Sequence, residues 1–136
     1  MPIAQSNYPL IDHAAEELRA ASGRPLAAIS LEAAVAAELS IADLQISAEA
    51  LRAQASVARQ AGYPQLAENL TRAAELTAVP NTEVLKMYDT MRPGRASHAE
   101  LLALADQLDR EYTAPTCATL VREAAEVYRQ RGMLRR

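Results

Sequence analysis

Apolar residues recur every three or four positions through most of this chain, and the stretches they mark begin and end at residues that start or stop helices. Ser47 opens one such stretch. Leu51, Ala55, Val57 and Ala58 fall to one side and Arg52, Gln54 and Arg59 to the other, until Gly62 offers the left-handed backbone that finishes a helix. Pro64 then stands at a first helical position, where its missing N–H costs nothing; Leu66, Leu70, Ala73 and Leu76 or Thr77 form the expected apolar stripe, and Pro80 the stop. Asn81 is the expected cap of the next helix, whose Val84, Leu85, Tyr88 and Met91 should face inward before Arg92-Pro93-Gly94 breaks it. Ser97 and Glu100 have the spacing of a capping box, followed by Leu101, Leu104, Ala105, Leu108 and Tyr112 on one face. Pro115 opens the last helix, capped at Thr113 or Ala114, with Val121, Ala124, Ala125 and Tyr128 buried and Gly132 at its end.

The first third is less regular. Residues 1–11 hold Pro2, Pro9 and few periodic apolar positions, so they are expected to be extended, or mobile until a partner orders them. Asp12 is the expected cap of a helix running to about Ser22 and closing at Gly23, with Glu16 and Glu17 near its positive end. After a break at Arg24 and Pro25, Ser30 caps a short helix with Leu31, Val35 and Leu39 on one face. Residues 40–46 read as a connector, although Ser40 and Asp43 have the spacing to cap one turn. No run of β-branched or aromatic residues alternates with polar ones, so no strand is expected. The expected fold is all-α: a small bundle of about six helices over residues 12–134, behind an extended segment of residues 1–11, with successive helices antiparallel because their connections are short.

Composition changes this picture in one respect. Apolar residues make up 50% of the chain, but Phe and Trp are absent and 30 of the 136 positions are Ala. Alanine removes little area from water, and burial stabilises at roughly 25 cal/mol per Å². Such a core gains less than a Leu- and Phe-rich one of equal length, and the chain is expected to lean on a partner. Its length suits one domain. A formal net charge of -3 leaves no global positive field for phosphate backbones or anionic lipid, so nucleic acid is not an expected partner. No stretch approaches the ~18 apolar residues of a membrane span. The opening Met-Pro-Ile-Ala-Gln-Ser-Asn-Tyr also lacks a basic region followed by an apolar run, so a cytoplasmic protein is expected.

Candidate chemistry is sparse. His13 and His98 fall in first turns of expected helices, with no companion ligands at metal-binding spacing. Cys117 is the only cysteine, which excludes an intrachain disulfide, and its place near an apolar face suits a small buried filler. Glu16 with Glu17 and Asp106 with Asp109 read as solvated helix surface rather than acid–base dyads. Gly23, Gly62 and Gly132 are read as helix ends and Gly94 as part of a turn, so no glycine loop cradles phosphate. No catalytic, cofactor-binding or metal-binding residue is expected. Contact residues are another matter. Arg92-Pro93-Gly94-Arg95 presents two guanidiniums from a stiff turn, suited to carboxylates across an interface. Tyr88, Tyr112 and Tyr128 supply large area with one polar end, and Arg122 begins an arginine-rich carboxyl end completed by Arg129, Arg131, Arg135 and Arg136.

Five segments, in order, carry a family likeness: Ile-Ser-Ala-Glu-Ala-Leu-Arg-Ala-Gln-Ala-Ser-Val-Ala at Ile46 to Ala58, Arg-Ala-Ala-Glu-Leu-Thr-Ala-Val-Pro-Asn at Arg72 to Asn81, Arg-Pro-Gly-Arg-Ala-Ser at Arg92 to Ser97, Glu-Leu-Leu-Ala-Leu-Ala-Asp at Glu100 to Asp106, and Val-Arg-Glu-Ala-Ala-Glu-Val-Tyr at Val121 to Tyr128. Together they resemble the small subunit of the adenosylcobalamin-dependent diol and glycerol dehydratases. The likeness runs from Ile46 to Leu134 and extends more weakly to Tyr8-Pro9-Leu10. Three positions depart from the family pattern: Gly94 where a larger residue is common, Leu120 where an aromatic is usual, and Gly132 within the charged end.

The resemblance implies a non-catalytic small subunit in a heterohexamer with two copies each of a large, a medium and a small chain. In that family adenosylcobalamin lies between the large and medium subunits, and a radical mechanism converts a 1,2-diol or glycerol to an aldehyde. No cofactor is then expected on this chain, and the subunit interface is expected to involve Tyr88, Arg92, Arg95, Tyr112, Arg122 and Tyr128. The longer amino-terminal extension that takes some diol dehydratase subunits into a bacterial microcompartment is not evident, so a freely cytoplasmic enzyme is the expectation. The rival readings are a stand-alone helical adaptor or scaffold, and a regulator of a cobalamin enzyme.

Overall fold

Ser47 and Ser97 cap two of the long helices of the computed structural model, which describes Ile3 and residues 7–136. The chain divides into two units, Met1–Ala74 and Glu75–Arg136. Among the described residues all regular structure is helical; extended pairing is limited to the single bridges Arg19 to Pro25 and Ala20 to Ile46.

The first unit begins with four-residue helix α1 (Leu10–His13) and two 3-10 turns at Ala15–Glu17 and Leu26–Ala28. Short helices α2 (Leu31–Val35) and α3 (Ile41–Leu44) follow, then the 13-residue α4 (Ala48–Gln60) and α5 (Pro64–Leu76), which crosses into the second unit. Ser47 caps α4 by accepting from the Ala50 N–H at 3.1 Å, and Gly62 follows it at φ 88°. α4 and α5 meet through Ala55, Ala58 and Ala67, with Leu70 packed against them. Alanine at the contact lets two helices approach closely but removes little area, as the composition implied.

Several expectations are corrected here. The helix foreseen from Asp12 to Ser22 does not form. Backbone groups in this stretch pair across the chain instead: Leu26 N–H donates to Leu18 O, Ala20 N–H to Arg24 O and Ala21 N–H to Gln45 O. The stretch lacks an apolar stripe strong enough to reward a helix, so distant pairing satisfies its backbone. Gly23, at φ 88°, makes the turn of this pairing rather than a helix end. Of the segment expected to be extended, residues 1, 2 and 4–6 lie outside the described residues, whereas Leu10 is buried and starts α1. The face of α2 is inverted: Ala33 is buried while Leu31 and Val35 point outward. In α5 the buried apolar positions are Ala67 and Ala74, and Leu66 is exposed. That shift is about one residue around the helix, and alanine's indifference to either face explains it.

The second unit holds α6 (Asn81–Thr90), α7 (His98–Arg110) and α8 (Pro115–Arg131). Its core joins Leu101, Leu104, Ala105 and Leu108 of α7 to Cys117, Ala118, Val121 and Ala125 of α8, with Val79, Met87 and Ala96 contributed from outside that pair. Leu101 and Leu108 are the largest fully buried side chains, each worth about 1.5–3 kcal/mol of transfer free energy. Gly132 ends α8 at φ 68°. In α6, Asn81 is the first helical residue rather than the cap, and Met87 is buried where Leu85 and Tyr88 were expected; both of the latter face out. Ser97 accepts from the Glu100 N–H at 3.2 Å, but the Glu100 carboxylate pairs with Arg135 instead of closing a reciprocal box.

Candidate functional site

The Arg92–Arg95 turn is held at both ends. Arg95 N–H donates to Arg92 O at 3.1 Å, and Gly94, at φ 81°, donates its N–H to Met133 O at 2.8 Å, while Arg135 N–H reaches Ala96 O at 2.8 Å. The carboxyl end of the chain thus fastens the turn, which leaves the two arginine side chains exposed. Asp89 lies 3.9 Å from Arg92 and 4.0 Å from Arg95, so one carboxylate faces two guanidiniums. Tyr88, one turn before Arg92, is 66% exposed.

The remaining expected contact residues are more engaged. Tyr128 is half-buried and donates its hydroxyl to Met91 O at 2.6 Å, tying α8 to the end of α6. Tyr112 is half-buried against the core. Arg122 reaches from α8 to two carboxylates of α7, at 2.6 Å from Asp109 and 3.0 Å from Asp106, and those bonds raise its pKa, Asp109 contributing most. Asp106 and Asp109 lie on the solvated surface, as expected, and in addition join two helices through Arg122.

Two carboxylates, Glu75 unmarked in the sequence and Asp43 marked there only as a cap, prove central. Glu75, near the end of α5, is buried and accepts from the Cys117 N–H at 2.8 Å and the Thr116 N–H at 3.0 Å. It supplies from 42 positions away the cap that Ala114 cannot give to α8. Burial pushes its carboxyl pKa up, yet the bonds from Cys117 and Thr116 outweigh burial and hold it below the ordinary 4.5. Its signal was indirect: a proline-started helix with alanine at the cap leaves its first N–H groups in need of an acceptor.

Asp43 is the other. It accepts from the Ser22 hydroxyl and the Ser40 N–H, the latter at 2.7 Å, and pairs with Arg24 at 3.3 Å. The Ser22 bond above all, then that from Ser40, lowers its pKa from 3.8 to about 2 against the opposing effect of burial, with Arg24 adding to the drop. Arg24 also donates to Glu38 O at 2.9 Å, so one buried carboxylate organises α2, α3 and the turn at Gly23. The Ser40-to-Asp43 spacing announced half of this hub; Ser22 and Arg24 are non-local.

Among the described residues no three His, Cys, Asp or Glu side chains are placed to share a metal ion. His13 is exposed, His98 half-buried and Cys117 buried. Two open grooves mark the first unit, of about 540 and 570 Å³, lined mainly by apolar residues such as Leu10, Ile11, Leu44 and Ile46 in one and Val57, Tyr63 and Leu66 in the other. No helix among the described residues is long and apolar enough to cross a membrane.

Residues 3–135 match the family model described as dehydratase small subunit. The chain is 43% identical over 130 residues to the propanediol dehydratase small subunit of Salmonella typhimurium, covering 96% of this chain and 75% of that one. It is 41% identical over 130 residues to the propanediol dehydratase small subunit of Citrobacter freundii, covering 96% and 76%.

Proposed function

Because this chain belongs to the dehydratase small subunit family, we propose that it is the non-catalytic small subunit of a diol or glycerol dehydratase, packing on the large catalytic subunit of a complex that forms aldehydes. The family match across nearly the whole chain carries this reading. The fold supports it physically: the chain keeps large apolar side chains on its surface while alanines fill much of its core.

The complex is a heterohexamer of large, medium and small chains in the cytoplasm, and adenosylcobalamin, held by the other subunits, supplies the radical chemistry. No residue of this chain is assigned to the cofactor or substrate. Tyr88, Arg92, Arg95 and Arg122 offer exposed contact groups, and Tyr112 and Tyr128 the open edges of half-buried rings. The test is co-expression of the large and medium subunits with and without this chain. Co-purification is expected, with aldehyde formation from propane-1,2-diol or glycerol that depends on it. A folded chain that ignores the large subunit would instead mark an adaptor.

A further inference from the structure

Helices α2 and α3 are built inside out. Leu31 and Val35, four apart on one face of α2, are 76% and 80% exposed, and Ile41 and Leu44, three apart on α3, are 77% and 71% exposed. What the two helices bury is small or charged: Ala33 in one, Asp43 in the other. Four side chains of this size hold apolar area on the order of 400–500 Å² in total, comparable to the largest apolar patch of a typical monomer, which is often functional. That is about half of the ~800 Å² each partner contributes to a standard interface.

These side chains are also held in position. Ser30 caps α2 through the Ala33 N–H at 3.2 Å, Ser40 and Asp43 close a capping box on α3, and Arg24 links Asp43 to Glu38 O. The four apolar groups are thus presented by a hydrogen-bonded frame that does not need them for its own stability. Arg24 is drawn in to Asp43 and Glu38 O, but the segment that carries the four groups has charge of one sign only. From Ser30 to Ile46 the sequence contains Glu32, Glu38 and Asp43 and no lysine or arginine. Asp43 is paired internally, and Glu32 and Glu38 stand exposed beside the apolar groups.

We propose that Leu31, Val35, Ile41 and Leu44 are the principal docking groups of this chain, and that their occupant is an apolar depression edged with lysine or arginine on the large subunit. The inference rests on the proposed assignment to a dehydratase complex and adds the surface and the partner's chemistry. Apolar complementarity supplies the affinity, and the carboxylates of Glu32 and Glu38 set orientation and salt dependence.

The experiment co-expresses the full chain, tagged, with the large and medium subunits, comparing the wild type with Leu31→Ser/Val35→Ser, with Ile41→Ser/Leu44→Ser and with Glu32→Lys/Glu38→Lys. Each apolar pair is expected to weaken capture of the large subunit at least tenfold while far-UV circular dichroism of the purified chain is unchanged. Alanine versions of the same pairs, which favour helix, are expected to behave alike. The charge-reversed pair is expected to weaken capture more at low salt than at high salt. Failure of the wild type to capture the large subunit overturns the dehydratase assignment. Capture by the wild type and by both apolar variants alike leaves that assignment standing and overturns the docking surface. A wild-type chain that dimerises alone, loses this on the same substitutions and still captures the large subunit also overturns it, by making a second copy the occupant.

Discussion

Replacing Glu75 separates a structural carboxylate from an inert one. In Glu75→Ala the N–H groups of Thr116 and Cys117, now bonded at 3.0 and 2.8 Å, lose their acceptor at the start of α8. Loss of a helix cap costs about 0.5–2 kcal/mol, and a buried donor left unpaired about 1–3 kcal/mol. Water reaches the partly exposed Thr116 more readily than the buried Cys117 N–H, so the summed loss is set at about 2–3 kcal/mol. At this chain length each kcal/mol corresponds to about 3–5 °C in Tm. Glu75→Gln keeps one acceptor oxygen and loses the charge, and is expected to cost about half as much. The pH dependence has a definite sign. The folded-state pKa lies below the ordinary 4.5, so the charge-dependent stabilisation is fully present above pH 4.5 and is lost as pH falls through the lower folded value. The stability gap between wild type and Glu75→Gln, measured by urea unfolding, is therefore expected to be constant from pH 7 to about 5 and to shrink below 4.5. A Glu75→Ala protein within about 0.5 kcal/mol of wild type, or a gap that widens on acidification, refutes the reasoning.

Further expectations follow from the second unit. Leu108→Ala removes one of the two largest fully buried side chains and is expected to cost about 2–5 kcal/mol in the same unfolding measurement. Thr113 holds φ 50°, a left-handed conformation that a β-branched residue adopts at a cost, so Thr113→Gly is expected to raise Tm by a few degrees, equivalent to about 1 kcal/mol. Arg122→Met breaks both ion pairs to α7 but leaves exposed groups that water can solvate, so a loss of at most about 1 kcal/mol, smaller still at high salt, is expected from denaturation at two ionic strengths.

The long helices were legible because their ends are written locally. Ser47, Ser97, Pro115, Gly62 and Gly132 act within a few residues of themselves, and each stands where it was expected. The faces were less legible. Where leucine marks the core, as in α7, the buried side was foreseen; where alanine marks it, as at Ala67 and Ala74, the larger Leu66 misdirected the reading. Leu85 and Tyr88 misled in the same way, because an exposed apolar stripe has the periodicity of one facing a core. The stretch from Asp12 to Ser22 failed for a different reason: its backbone partners, such as Gln45 for Ala21, lie far along the chain. Glu75 and Asp43 share that property, since their partners Cys117 and Ser22 are 42 and 21 positions away. The role of a carboxylate follows from what folding places beside it.

The most direct measurement is the rate of aldehyde formation by large and medium subunits loaded with adenosylcobalamin as this chain is titrated in. If the chain braces a catalytic polypeptide, the rate rises and saturates at one copy per large subunit, and this chain alone retains neither diol nor cobalamin in equilibrium dialysis. An unchanged rate across the titration, or either molecule retained by this chain by itself, contradicts the account.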